Sequence, residues 1–356
     1  MSDTLNKARN LLDEQSFDEA LELLHTVTPV TPLVKVSVAR ALSGLGRWEE
    51  AHSLFSEALT EDPECHEGYS GRGLLYFLTG DFQRAHEDYL KAIDGAPMNG
   101  RYHGLRGILL AQVGDVPNAL KELEACYDLG CHDPSFLLSR GQINLAVRDA
   151  AKARESIDLA EKHDADEAAI AALEGALSLL NGDAKEALAS YRFSVEKAPE
   201  AANNWLNTLA LTAQLERSRL LEEAQRALEA HPNHGEIIQV VVGAYREAGK
   251  LKEAFQVLKE AIERNPESPL LYFQMGMGLA QSGKFEKAVE QFSKALEFAP
   301  RFPRALDARG NCLEQLGRKD EAQADFQKSH DIRKEDAEKS AVQQKMVKPS
   351  QNGAEE

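Results

Sequence analysis

An all-α solenoid of stacked, antiparallel helix pairs is the fold this sequence predicts, and three regularities predict it. A glycine with an apolar or aromatic residue two places on recurs at Gly46/Trp48, Gly80/Phe82, Gly114/Val116, Gly249/Leu251 and Gly283/Phe285, in steps of 34 residues where consecutive units keep the pattern. Five residues beyond each glycine stands an alanine, at Ala51, Ala85, Ala119, Ala254 and Ala288. Prolines close units at Pro63, Pro97, Pro199, Pro266 and Pro300. A period of this size marks an array whose repeats bury their apolar faces only against one another. The 356 residues are therefore read as one growing stack, without a single central core.

Ten units are expected, starting near residues 1, 32, 66, 100, 134, 168, 202, 235, 269 and 303. Each opens with a helix, turns at the glycine and runs a second helix to the proline. The third unit shows the logic. Tyr69, Gly73 and Tyr76 are spaced by four and three, which puts them on one face of the first helix. Gly73 is small where a neighbouring helix must come close, and Gly80 can take the positive φ that ends a helix. Ala85, Tyr89 and Ala92 repeat the spacing on the second helix, and Pro97 cannot continue it.

Three units depart from the pattern. The fifth has Arg148 at the turn glycine and Ala165 at the proline. The seventh is one residue short, lacks the glycine, and leaves the register between Trp205 and Ala224 open. The first is also short. After Phe326 the repeat decays into a charged amphipathic segment. A solenoid spanning 1–330, a C-terminal capping helix at 331–346 and a disordered tail at 347–356 are expected, since a terminal repeat needs a polar cover.

Composition narrows the function. Hydrophobic residues make up 43% and charged residues 28% of the chain, and no apolar run approaches the roughly 20 residues that span a bilayer. No membrane insertion is expected. The N-terminus carries acids and no apolar core, so it does not read as a secretory signal, and the cytoplasm is the expected compartment. Net charge is −17, with an acid excess of 9 in residues 1–100, 6 in 101–200, 2 in 201–300 and none in 301–356. This argues against nucleic-acid binding, which needs a basic stripe. Acidity in the front half serves solubility or a basic partner.

Chemistry-bearing motifs are missing. There is no phosphate-binding glycine loop, no HExxH and no GxSxG. Cys126, Cys131 and His132 share one short turn but lack a fourth metal ligand, and Cys65 and Cys312 stand alone. His231 and His234 flank a turn proline without a third ligand. No cofactor, no metal and no enzymatic activity are expected, because the repeats leave no stretch for a catalytic domain.

The pattern resembles the tetratricopeptide repeat. Its signature of aromatic, small residue, tyrosine, alanine, aromatic, alanine and proline is matched by Tyr69/Gly73/Tyr76/Ala85/Tyr89/Ala92/Pro97 and by Tyr272/Gly276/Leu279/Ala288/Phe292/Ala295/Pro300. The resemblance implies a right-handed superhelix whose first helices line a concave groove for a protein partner. Its groove positions fall here on Arg9, Arg40, Leu74, Ile108 and Gln142, and on Phe77, Leu145 and Leu179. Arg9 and Arg40 are expected to form a small basic spot beside an apolar stretch of Leu74, Phe77, Ile108, Leu145 and Leu179. Position five reads Leu5, Val36, Ser70, Gly104, Leu138 and Ala172, without the lysine of the carboxylate clamp that grips chaperone C-termini. Position six lacks the asparagine ladder of the sugar-transferring branch. A non-catalytic adaptor holding a partner peptide or helix in its groove is expected, with a self-assembling structural organiser as the alternative.

Overall fold

The computed structural model describes residues 2–347 and, among them, twenty α-helices, one short 3-10 turn and no strand. The helices pair in sequence order, and each pair falls on one expected repeat. The chain forms two compact units that divide after Lys197.

The first unit holds α1 (Ser2–Asp13), α2 (Phe17–Leu24), α3 (Pro32–Gly44), α4 (Trp48–Glu61), α5 (His66–Leu78) and α6 (Phe82–Gly95). It continues with α7 (Gly100–Gln112), α8 (Val116–Asp128), α9 (Pro134–Ala146), α10 (Ala150–Lys162), α11 (Glu167–Asn181) and α12 (Ala184–Lys197). Successive helices pack on one another, and α3, α5, α7, α9 and α11 also touch in that order. This leaves α3, α5, α7, α9 and α11 as a continuous row.

The turn inside each repeat is built from few residues. In the third repeat Gly80 takes φ +82°, its N–H donates to Phe77 O, and the Asp81 N–H donates to Tyr76 O at 2.8 Å. These two bonds close α5 as a Schellman motif. Asp81 then starts α6, its carboxylate accepting from the Arg84 amide. Asp115, Asp149 and Asp183 do the same for α8, α10 and α12, so one residue ends one helix and caps the next. Arg148 makes the same turn with φ +63°, a left-handed conformation that costs a side-chain-bearing residue energy.

Close approach of the paired helices explains the small residue of the first helix. A Cβ built on Gly73 would come within 2.8 Å of the Tyr89 ring, which is fully buried. Gly175 faces Tyr191 in the same way, and in the second unit Gly276 faces Phe292 and Gly310 faces Phe326. Ala51, Ala85, Ala119, Ala187 and Ala288 are completely buried where the second helix crosses.

A polar clasp accompanies this core. Arg72 donates to both carboxylate oxygens of Asp88 at 2.7 and 2.9 Å, joining α5 to α6. Arg106 bonds Glu122 at 2.6 Å between α7 and α8. In the fifth repeat Arg140 meets Ser156 at 3.2 Å and Glu155 at 3.4 Å, and its Nε has no partner.

The second unit holds α13 (Ala202–Leu215), a 3-10 turn (Arg217–Arg219), α14 (Leu220–Ala230), α15 (Gly235–Glu247) and α16 (Leu251–Arg264). It ends with α17 (Pro269–Gln281), α18 (Phe285–Phe298), α19 (Pro303–Gln315) and α20 (Lys319–Val347). The 3-10 turn replaces the missing glycine turn of the seventh repeat and settles its register. In the tenth repeat Arg309 clasps Asp325 bidentately at 2.7 Å. The segment 331–346 belongs to α20, where Ile332 is buried and Arg301 holds Glu335 and Asp336 at 2.8 Å. The remainder of the expected tail, 348–356, lies outside the described residues.

Candidate functional site

The row of first helices in the N-terminal unit carries the expected groove residues. Arg9 lies on α1, and its Nη2 donates to Glu67 Oε1 on α5 at 2.7 Å. Arg40 on α3 donates to Asp13 at the end of α1 at 3.0 Å. Both arginines are about one-third exposed. The basic spot is therefore a pair of ion pairs, each guanidinium holding a carboxylate of its own chain. Such exposed pairs exchange readily for a competing anion because each contributes little net energy.

The apolar stretch divides into packed and free members. Phe77 is half-buried, its ring centroid 5.9 Å from that of Phe82, against the cluster of Ala85, Tyr89 and Leu109. Ile108 packs on the cluster around Leu123 and Phe136, and Leu145 on that of Ile157 and Leu177. Leu74 is half-buried as well. Leu179 is 42% exposed on the last turn of α11, and Gln142 is exposed on α9.

The structure adds residues that the groove positions did not include. Leu78 ends α5 and is 55% exposed, while Val113 and Val147 follow α7 and α9 at 52% and 46%. Val113 and Val147 are one repeat apart, so they occupy the same place on adjacent first helices. Leu78, Val113, Val147 and Leu179 are thus exposed apolar residues at or just past the C-terminal ends of α5, α7, α9 and α11, along one edge of this row of helices. The signal was present in the sequence as an apolar residue at the turn, but a turn residue does not belong to the helical groove pattern.

The unit as a whole is acidic, with 33 Asp and Glu against 19 Lys and Arg in residues 1–197. Some acids are committed: Asp81 and Asp115 cap helices and Asp88 holds Arg72. An open depression along α4, lined by Glu49, His52, Ser53, Ser56, Glu57, Thr60 and Glu61, lies on a second helix. It lacks the apolar enclosure of a small-molecule pocket. Among the described residues no group of three or more His, Cys, Asp and Glu could hold a metal ion. No helix among them is long and apolar enough to cross a membrane.

Comparison with known proteins agrees with the architecture. Models of the tetratricopeptide repeat match residues 39–100, 79–134, 245–312 and 303–336, together more than half of the chain. Tetratricopeptide repeat protein 13 of Homo sapiens is 34% identical over 104 residues, which is 27% of this chain and 12% of that protein. The chain thus spans a small part of that relative's length. The solved structure of pilF of Pseudomonas aeruginosa superposes with a TM-score of 0.51 at 16% identity, covering 60% of this chain and 96% of that one. MamA of Desulfovibrio magneticus RS-1 gives a TM-score of 0.41 at 18% identity over 48% of this chain and 97% of its own. With ten helix pairs in register and family models matching more than half of its length, the chain belongs to the tetratricopeptide repeat family.

Proposed function

We propose that this protein is a non-catalytic protein-interaction scaffold that holds a peptide or helix of a partner protein on the first-helix face of its N-terminal unit, in the cytoplasm. Tetratricopeptide repeats serve protein interaction in general, and this face offers what such a contact needs. The observation that carries the reading is the row from α3 to α11, whose apolar edge of Leu78, Val113, Val147 and Leu179 is not used by the core. Large apolar side chains left exposed on four successive repeats are candidates for an interaction surface. Arg9 on α1, Arg40 on α3 and Gln142 on α9 supply polar contacts, and Leu74, Phe77, Ile108 and Leu145 form the half-buried floor.

A partner segment with apolar side chains and basic flanks fits this surface. Apolar area removed from water contributes about 25 cal/mol per Å², offset by ordering the segment. The acid excess of the unit steers a basic segment toward it. The experiment is affinity capture from cells of the native host, comparing wild type with Val113→Glu/Val147→Glu/Leu179→Glu. These side chains are exposed, so the variant keeps its helicity. A protein held by wild type and lost by the variant supports the reading. Equal capture by both refutes it.

The second reading is a self-assembling organiser in which one copy covers this edge of another. The same apolar edge favours it. Light scattering over a range of concentrations separates the two, because the organiser gains mass as it is concentrated and the adaptor does not.

A further inference from the structure

Cys126 and Cys131 occupy the two positions that a Schellman helix end brings together. α8 stops at a left-handed Gly130, φ +76°. The Cys131 N–H donates to Cys126 O at 3.1 Å, and the Gly130 N–H donates to Tyr127 O at 2.9 Å. In this motif the residues five apart touch, usually through apolar side chains. Here both are thiols. Cys126 Sγ donates to Cys131 O at 3.5 Å. Gly100, the first residue of α7, closes the site from one side: a Cβ there would come within 2.8 Å of both Cys126 O and Cys131 Cβ.

The two thiols differ in access. Cys126 is 1% exposed, and burial, reinforced by the neighbouring Cys131 thiol, pushes its pKa up. Cys131 is half-buried in the turn, next to His132, whose ring packs on Tyr127 and His163 at centroid distances of 5.1 and 5.0 Å. The pair belongs to the cluster around Leu123 and Phe136, on which Ile108 also packs.

We propose that Cys126 and Cys131 are a dithiol modification site that closes to an intramolecular disulfide by exchange with a low-molecular-weight disulfide. The Cys131 thiolate, the accessible sulfur, attacks one sulfur of the reagent. The S–S bond of the reagent breaks, and its other half leaves as a thiol carrying the proton of Cys131. Cys126 then attacks the Cys131 sulfur of the mixed disulfide. Its proton goes to the second departing thiol, so the protein loses two hydrogens while one reagent disulfide becomes two thiols. The hydrogen-bonded turn holds the sulfurs together and makes the second step intramolecular. The product staples the end of α8 to the turn that leads into α9. Cys65 and Cys312 lie on other repeats and serve as internal controls.

The full chain is incubated with oxidised glutathione in mildly alkaline buffer, quenched with an alkylating reagent and mapped by mass spectrometry. The expected product has lost two hydrogens, carries no glutathione, links Cys126 to Cys131, and keeps Cys65 and Cys312 alkylated with helicity unchanged. Cys126→Ser should stop at a stable glutathione adduct on Cys131. A wild-type protein that keeps glutathione on Cys131 with Cys126 alkylated overturns the proposal. So does a linkage that forms only after helicity is lost, or no reaction at either residue.

Discussion

Arg9 and Glu67 are 58 residues apart in sequence, yet their side chains meet at 2.7 Å, tying the first repeat to the third across α3. Most ion pairs of the first unit join a repeat to itself or to its neighbour; this one skips a repeat. It spans the first three first helices and places a carboxylate of the chain itself on a cation of the proposed partner surface. Because both groups are about one-third exposed, the pair is a weak tie. Glu67→Gln is expected to lower unfolding stability by less than about 1 kcal/mol. Chemical denaturation measures it, and a loss of several kcal/mol would show that the pair is structural rather than exchangeable.

The Arg72–Asp88 clasp should behave in the opposite way. The Asp88 side chain is 5% exposed, and its two oxygens are both used by Arg72. Asp88→Ala leaves a largely buried guanidinium without its counter-charge, for an expected loss of about 3–5 kcal/mol. The double replacement Arg72→Met/Asp88→Leu removes both charges and is expected to restore most of that stability. A double-mutant cycle decides it. Equal losses in the single and double variants would contradict the account.

Two glycines of one repeat are needed for different reasons, and the same substitution separates them. Gly73→Ala drives a Cβ into the Tyr89 ring and should cost about 1–3 kcal/mol by overpacking. Gly80 has no atom within 4 Å of an added Cβ but holds φ +82°, so Gly80→Ala should cost about 1 kcal/mol through backbone strain alone. Replacing Tyr89 by a smaller residue should relieve the first substitution and leave the second unchanged.

The repeat register was legible because each of its causes is local. Gly80, Ala85 and Pro97 read directly as turn, crossing and stop. Arg148 did not, since no propensity foretells a left-handed arginine; the Schellman bonds around it impose that geometry. The clasps were missed although Arg72, Arg106 and Arg140 recur every 34 residues with Asp88, Glu122 and Ser156 sixteen residues on. Charged residues on a helix read as solvated until the partner helix is in place. Arg9 and Arg40 were legible as neighbours on adjacent first helices, but Glu67 and Asp13 were not legible as their partners. Phe77 and Ile108 read as groove residues, whereas contact with the next repeat draws both halfway into the core.

Alkaline pH should expose the buried tyrosines. Burial pushes Tyr102 up to about 12, and its hydroxyl hydrogen-bonds His66 Nδ1 at 2.8 Å. Its ordinary value is about 10. A group raised in the folded state contributes stability that is complete below its unfolded pKa and is lost as pH climbs through the folded one. Stability should therefore fall from about pH 10 upward, and Tyr102→Phe should flatten part of that fall up to about pH 12. Some slope remains, because burial raises Tyr89 and Tyr191 as well. An unchanged alkaline slope in Tyr102→Phe would contradict the assignment.

The central claim is that the first-helix face of the N-terminal unit receives a partner protein through its apolar edge. Affinity capture from the native host with wild type and with Val113→Glu/Val147→Glu/Leu179→Glu tests it most directly, after circular dichroism and light scattering show both baits folded and equal in mass. The account predicts a protein partner retained by wild type and lost by the variant. The same partner on both baits would contradict it.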